Sequence, residues 1–329
     1  MTIVARRLQT EPIIFPDIDD RMGDNICGPS LIRVPDWVQH PLGRYYLYFA
    51  HHKGRYIRMA FADSPFGPWR TYVPGVLDVE QSLFEPEDPP EPAEAERPDW
   101  TKSLKGGYLY AHVASPDVHI DQSGMQIRMY YHGLLANGDQ QTRVAYSSDG
   151  LSFTPHPPLL GPTYFRVFQN AGFVYAISWG GRFLRSRAWD GPFEPGPVLP
   201  DVKTADQPDR VIRHAAVFLR KQDLHLFFTC IGDQPEHILH TKIALSPNWE
   251  NWRAGPLDVI LEPDLDWEGA GLPETKSEMG AADGPRRELR DPCIFEEEGV
   301  VYLLYCGAGE SGGIGLATLD WSCAGNPPD

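Results

Sequence analysis

The chain has 329 residues, a formal net charge of -16, and hydrophobic and aromatic contents of 42% and 12%. Such acidity argues against nucleic-acid binding, which needs a basic surface. No apolar run is long enough to span a bilayer, and residues 1–7 lead into no hydrophobic signal segment, so a soluble, cytoplasmic protein with no membrane partner is expected. Five cysteines (Cys27, Cys230, Cys293, Cys306, Cys323) form no CxxC pair and are odd in number, which argues against a disulfide framework or a zinc site and fits a reducing compartment.

With 31 glycines and 32 prolines the chain reads as many short strands joined by turns, and no stretch carries the 3.6-residue apolar period of a helix. One plan recurs five times. A polar or Pro-containing start leads into a short strand, a β-branched and aromatic second strand ends in a Gly- or His-bearing loop, and a third strand follows. A turn with an aromatic residue often closes the unit. The units cover about 25–70, 108–155, 163–196, 210–253 and 290–320. Five four-stranded units predict an all-β, five-bladed β-propeller in one domain spanning 1–329. The fifth unit lacks a fourth strand, and residues 8–15 are the expected candidate to supply it and close the ring. Two stretches break the rhythm. Residues 85–97 are acidic and Pro-rich and read as a solvated loop. Residues 258–288 form a long insertion of the kind that is usually functional or disordered.

In an up-and-down blade, the start of the first strand and the loop after the second lie at the same face. The starts carry Asn25, Asp117, Arg166, Arg213, His214, Arg290 and Asp291. The loops carry His51, His52, Lys53 and Arg55, then His132, then Trp179 and Arg182, then Asp233, Glu236 and His237, then Glu310. Ionisable groups converging on one concave mouth mark the expected active site. Each also has a plainer reading as a turn, cap or ion-pair residue, and His225, inside an apolar strand, reads as structural.

At Ser115-Pro116-Asp117-Val118, at the Arg290-Asp291-Pro292 start and at the Ser64-Pro65-Phe66-Gly67-Pro68-Trp69 blade ending, the chain resembles the five-bladed propellers of glycoside hydrolase family 43. The resemblance implies that Asp117 positions the general acid and tunes its pKa. It departs where the family has its base and its acid: Gly28-Pro29-Ser30 and Tyr164-Phe165-Arg166 offer no carboxylate. It also allows a bound Ca²⁺ in the channel, although no Asp-rich metal loop demands a metal and no cofactor is required.

The expected activity is glycoside hydrolysis of short oligosaccharides, with Asp117, His214, Asp291, Glu310 and His51 as proton-handling candidates. Asn25, His52, His132, Arg166, Trp179, Arg213 and Arg290 are the expected substrate contacts. Three arginines at strand starts suggest an anionic sugar, a uronate or a sulfated residue. The alternatives are a lyase that uses a His base on an Arg-bound uronate, and a non-catalytic sugar-binding propeller.

Overall fold

A computed structural model describes residues 2–16, 18, 21–93 and 109–322. Cys323 and part of the acidic insertion, residues 94–97, lie outside them. The N-terminal strand β1 (Thr2–Arg7) comes first. Blade 1 is β2 (Cys27–Arg33), β3 (Tyr45–Ala50), β4 (Tyr56–Ala62) and β5 (Arg70–Thr71), with β6 (Leu77–Asp78) also paired to β4. Blade 2 is β7 (Val113–Asp121), β8 (Gln126–Leu134), β9 (Gln140–Ser147) and β10 (Thr154–Pro155). Blade 3 is β11 (Arg166–Asn170), β12 (Phe173–Ser178), β13 (Arg182–Ser186) and β14 (Glu194–Val198). Blade 4 is β15 (Val211–Arg220), β16 (Asp223–Ile231), β17 (Ile238–Ala244) and β18 (Asp258–Leu261). Blade 5 is β19 (Arg290–Glu297), β20 (Val300–Gly307) and β21 (Gly313–Ser322).

These five sheets form a five-bladed propeller, and every pairing between neighbouring strands is antiparallel. The second strands read as unbroken apolar runs, such as Tyr45-Tyr46-Leu47-Tyr48-Phe49-Ala50, because both faces of each blade are buried against neighbours. Five apolar clusters follow, one in each gap between adjacent blades. Tyr46, Met59, Val113 and Met129 join blades 1 and 2; Tyr130, Phe165, Val167 and Val174 join blades 2 and 3. Phe183, Phe228 and Trp252 fill the gap between blades 3 and 4, Phe227 and Leu303 that between 4 and 5, and Leu47 and Leu304 close the ring between 5 and 1. Cys27, Cys230, Cys293 and Cys306 are buried free thiols inside this packing.

The ring is closed from the N-terminus, but one strand earlier than residues 8–15. β1 pairs antiparallel with β21, Ile3 opposite Trp321 and Arg7 opposite Ala317, and so becomes the outer strand of blade 5. Residues 8–15 run on along the same edge, with Leu8 N–H donating to Leu316 O at 3.0 Å and Ile13 N–H to Ile314 O at 2.7 Å. The pattern misled because 13–15 are more apolar than 2–7. The outer strand of blade 4 likewise lies later than its unit suggested, at Asp258–Leu261. The rest of the insertion, 262–288, is tied to blades 4 and 5, where Glu268 accepts from the Tyr305 hydroxyl at 2.7 Å and the carbonyls of Glu278 and Gly280 accept from Arg213.

Four blades share one irregularity at the start of the inner strand. Between Cys27 and Ser30, Ala114 and Asp117, Ile212 and Ala215, and Arg290 and Cys293, the inner strand carries one residue more than its partner. Such bulges re-aim side chains. In three of them a left-handed residue makes the turn: Gly28 at φ 61°, Ser115 at 52° and Asp291 at 49°. At Gly28 the reason for glycine is spatial as well, since a Cβ there would stand 2.9 Å from Ser115 Cα of the next blade.

Removing residues 1–7 should therefore unzip the outer edge of blade 5. The expected result is a loss of at least about 2 kcal/mol, from the lost burial of Ile3 alone, read from urea unfolding. An unchanged midpoint would show that β1 does not close the ring.

Candidate functional site

The bulges deliver a buried polar cluster to the channel axis. Arg290, from the bulge of β19, donates from Nε to Glu288 Oε2 at 2.9 Å and from Nη1 to Glu310 Oε1 at 3.0 Å. Arg213, from the bulge of β15, donates from Nε to Glu236 Oε1 at 2.9 Å and from its two Nη groups to the carbonyls of Gly280 and Glu278. Glu310 Oε2 accepts from Asn25 Nδ2 at 3.0 Å and lies 3.3 Å from His52 Nδ1. Asn25 Oδ1 in turn accepts from the His52 backbone N–H at 2.7 Å. One asparagine thus locks both members of a His52–Glu310 pair. Glu310 is placed by three successive left-handed residues, Ala308, Gly309 and Glu310, at φ 49°, 64° and 80°. Burial would raise its pKa, but His52 and Arg290 outweigh burial and hold it well below the usual carboxylate range.

Asp291 is fully buried and neither carboxylate oxygen has a hydrogen-bond partner. His214 Nδ1 is 3.0 Å from Asp291 Oδ1, yet the ring is out of line for a hydrogen bond and Nδ1 is itself unpartnered. One ligand atom each from His214, Asp291 and Glu310 lie within 4.8 Å of one another. Above them stands Tyr164, at φ 62°, its ring 4.7 Å from that of His214 and 4.5 Å from that of His132. Burial and then the charge of Asp291 push its phenol well above 10.

Over Tyr164 opens a cavity of about 460 Å³ whose wall includes His52, Tyr110, Trp179, Arg213, Asp139 and Asp283. Residues 279–281 and 283, from the long insertion, form one side. Trp179 is 37% exposed at the rim. Beneath the wall His112 and His132 are buried, ring centroids 5.4 Å apart. Burial lowers both, His112 to about 4 although its Nδ1–H donates to Tyr110 O, and His132 well below 6.5, where His112, His52 and His214 add repulsion.

The structure therefore gathers Asn25, His52, His132, Trp179, Arg213, His214, Arg290, Asp291 and Glu310 around the mouth and the channel beneath it. Three expected site residues lie elsewhere. Asp117 falls just after its bulge rather than in it, so it faces blade 3. There Oδ2 meets His119 Nε2 at 2.8 Å and accepts from Val167 N–H at 2.8 Å. Burial opposes ionisation of Asp117, but His119 and Arg166 lower its pKa. Arg166 spans the same gap, donating to Ser115 O and Phe165 O. His51 turns outward, its Nδ1 accepting from Lys53 N–H at 3.0 Å and its Nε2 4.0 Å from Asp24. Burial lowers it to about 4. His225 stacks on His240, Nδ1 to Nε2 3.0 Å, on the outer part of blade 4.

Tyr164, His112, Tyr110 and Glu288 complete the site and were missed. Tyr164 stands at the start of blade 3, in the stretch where the family resemblance places a carboxylate. His112 and Tyr110 precede β7 in a stretch without pattern, and Glu288 lay inside the insertion.

The channel, the bulged inner strands and the mouth cavity define a propeller of the glycoside hydrolase family 43 fold. Its solved likenesses include CoXyl43, a β-xylosidase/α-arabinofuranosidase from a compost microbial metagenome in complex with xylotriose. The TM-score is 0.58 at 13% identity, over 96% of this chain and 94% of that one. A family 43 enzyme of Xanthomonas citri complexed with xylose matches with a TM-score of 0.58 at 14% identity, over 99% and 93%. No family model matches the sequence. In sequence the chain is 33% identical over 306 residues to the uncharacterized protein R118 of Acanthamoeba polyphaga mimivirus, covering 88% of this chain and 82% of that one. The chain belongs to the family of that viral protein. Among the described residues no helix is long and apolar enough to cross a membrane.

The buried imidazoles predict the pH response. His112 titrates near 4 in the folded chain and near 6.5 unfolded, so the unfolded state takes up the proton first. Stability is full above about pH 6.5 and falls as pH drops toward about 4. His112→Gln should remove up to about 1.4 kcal/mol per pH unit from the slope in that window, measured as urea midpoints between pH 7 and 4.5. An unchanged slope would contradict this.

Proposed function

We propose that the protein hydrolyses short, uncharged oligosaccharides in the mouth cavity, with His52 as the proton donor to the leaving oxygen. The observation that carries this is the His52–Glu310 pair: an imidazole on the cavity wall, backed at 3.3 Å by an ionised carboxylate and locked by Asn25. A third group orienting an acid–base residue is the usual design of such a site. Hydrolysis needs a second group on the far side of the bond. Asp139 and Asp283, exposed on the wall and carried by blade 2 and by the insertion, are available to take a proton from water. The water oxygen then bonds to the anomeric carbon while His52 protonates the departing oxygen. Trp179, Tyr110 and Tyr164 offer faces for sugar rings.

The three arginines do not favour an anionic sugar. Arg213 lines the cavity, but its Nε and both Nη groups are engaged by Glu236, Gly280 and Glu278. Arg290 is spent on Glu288 and Glu310, and Arg166 lies between blades. The same engagement removes the charge neutralisation that a lyase acting on a uronate would need. One observation favours the non-catalytic reading: Asp291 and Glu310, expected to handle protons, are fully buried and do not line the cavity. In this proposal Glu310 acts through His52.

The test is mass spectrometry of products from neutral and acidic oligosaccharides incubated in ¹⁸O-labelled water. Label in a released reducing sugar is expected, from neutral substrates, and His52→Gln should lower kcat by about 100-fold or more with little change in binding. An unlabelled unsaturated product would establish elimination. Binding without turnover would establish a sugar-binding propeller.

A further inference from the structure

At the face opposite the mouth, the gap between blades 4 and 5 is not closed like the other four. Inner strands start at the mouth, so the Arg220–Asp223 hairpin that joins β15 to β16 lies at the far end. The nine residues of β16, at about 3.3 Å each, put that end roughly 26 Å from the mouth. There an aromatic side chain ahead of the outer strand packs into each of four gaps: Trp69 between blades 5 and 1, Phe153 between 1 and 2, Phe193 between 2 and 3, and Trp249 with Trp252 between 3 and 4. In blade 5 the outer strand is β1, and Ile3 is the side chain it buries in the gap. A cavity of about 350 Å³ is left beside it, walled by Ile3 and Trp321 of blade 5 and by Arg220, His225, His240 and Pro256 of blade 4.

The walls are mainly apolar, and the charges around them are cationic in excess. Arg220, Lys221 and Lys242 line the cavity against Asp223 and Asp258, in a chain whose net charge is -16. Asp223 is taken by Lys242 at 3.3 Å. Asp258, 62% exposed, is solvated and lies 3.8 Å from His240 Nδ1, too far for a hydrogen bond. Arg220 stacks over Trp321, 4.4 Å from the ring centroid, and neither it nor Lys221 forms an ion pair with a carboxylate among the described residues. The two histidines add no charge: His225 Nδ1 meets His240 Nε2 at 3.0 Å, and burial lowers both pKa values, His240 to about 4. Trp321 Nε1 and His240 Nδ1 are buried without a hydrogen-bond partner. An indole N–H can only donate, and a buried donor that lacks an acceptor is costly. Two cations and an indole N–H thus adjoin an apolar space that offers them no acceptor.

We propose that this cavity binds a small organic monocarboxylate with an apolar body, its carboxylate on Arg220 and Lys221 and its chain or ring between Ile3, Pro256 and Trp321. The single excess positive charge of the lining suits one carboxylate, which a guanidinium pairs with through two parallel hydrogen bonds. The volume stands at the lower end of small-ligand sites, which keeps the body small. A neutral sugar, the ligand proposed for the mouth, would leave both cations unpaired and press hydroxyls against apolar walls.

Calorimetry on the purified full-length protein tests this without turnover, so its failure is distinct from failure of the hydrolase reading. Hexanoate and 4-phenylbutyrate are compared with 4-phenylbutyramide, which lacks the charge, with acetate, which lacks the body, and with phenyl phosphate, which carries more charge. One equivalent of either monocarboxylate is expected to bind, with the amide and acetate each at least 10-fold weaker. Arg220→Gln combined with Lys221→Gln, both outside the core, should lower the affinity 10-fold or more. Ile3→Phe, which restores an aromatic side chain to the open gap, should abolish binding, with its fold checked by near-ultraviolet circular dichroism. His52→Gln, at the mouth, should leave this binding unchanged. Equal binding of the amide, tighter binding of phenyl phosphate, affinity kept in the double variant or in Ile3→Phe, or affinity lost in His52→Gln would each overturn the assignment, as would no binding to the wild type.

Discussion

Everything at the mouth depends on one constraint: the extra residue that four inner strands carry at their starts. A regular strand would point alternate side chains into the mainly apolar gaps between blades. The bulge breaks that alternation and turns one or two side chains toward the axis. It gives blade 5 Arg290 and Asp291, gives blade 4 Arg213 and His214, and lets blades 1 and 2 approach through Gly28 and Ser115. Asp117, just past its bulge, returns to the gap and becomes a link between blades.

The polar groups so delivered would destabilise the channel if left alone. The two arginines are compensated by carboxylates brought from far along the chain. Glu236 comes from the loop after β16, Glu288 from the end of the insertion and Glu310 from the loop after β20, and each meets an arginine at a strand start. The backbone carbonyls of Glu278 and Gly280 accept one hydrogen bond from each Nη group of Arg213. The insertion is tied to the ring by the same bonds that neutralise the channel, so the cavity wall and the buried network are one structure. Tyr164 divides the two compartments, with a cavity of about 460 Å³ above and a buried charged cluster below, and Arg213 borders both.

Much of the architecture was legible in the sequence because its cause is local. Unbroken runs such as Leu224-His225-Leu226-Phe227-Phe228 and Tyr302-Leu303-Leu304-Tyr305 state that a strand is buried on both faces, and turns between them count the blades. The grouping of Asn25, His52, His214, Asp291 and Glu310 at one end also followed, since hairpin geometry alone sends strand starts and second loops to the same face. Asp117 and Asp291 looked equivalent because each adjoins a proline at a strand start. They differ by their position relative to a bulge, and the bulge is a matter of register between two strands, which neither strand carries alone.

The sequence by itself determined an all-β chain of five units, a mouth rich in histidine and charge, and no carboxylate at the starts of blades 1 and 3. Those are properties of short stretches and of their order. Only the tertiary structure decided that β1 closes the ring, that Arg213 and Arg290 are already paired with buried carboxylates, that His51 faces outward while His52 faces the cavity, and that Asp291 is buried with no hydrogen-bond partner. Each of these depends on which groups far apart in the chain come within about 3 Å of one another, and that distance is set by the closure of the ring.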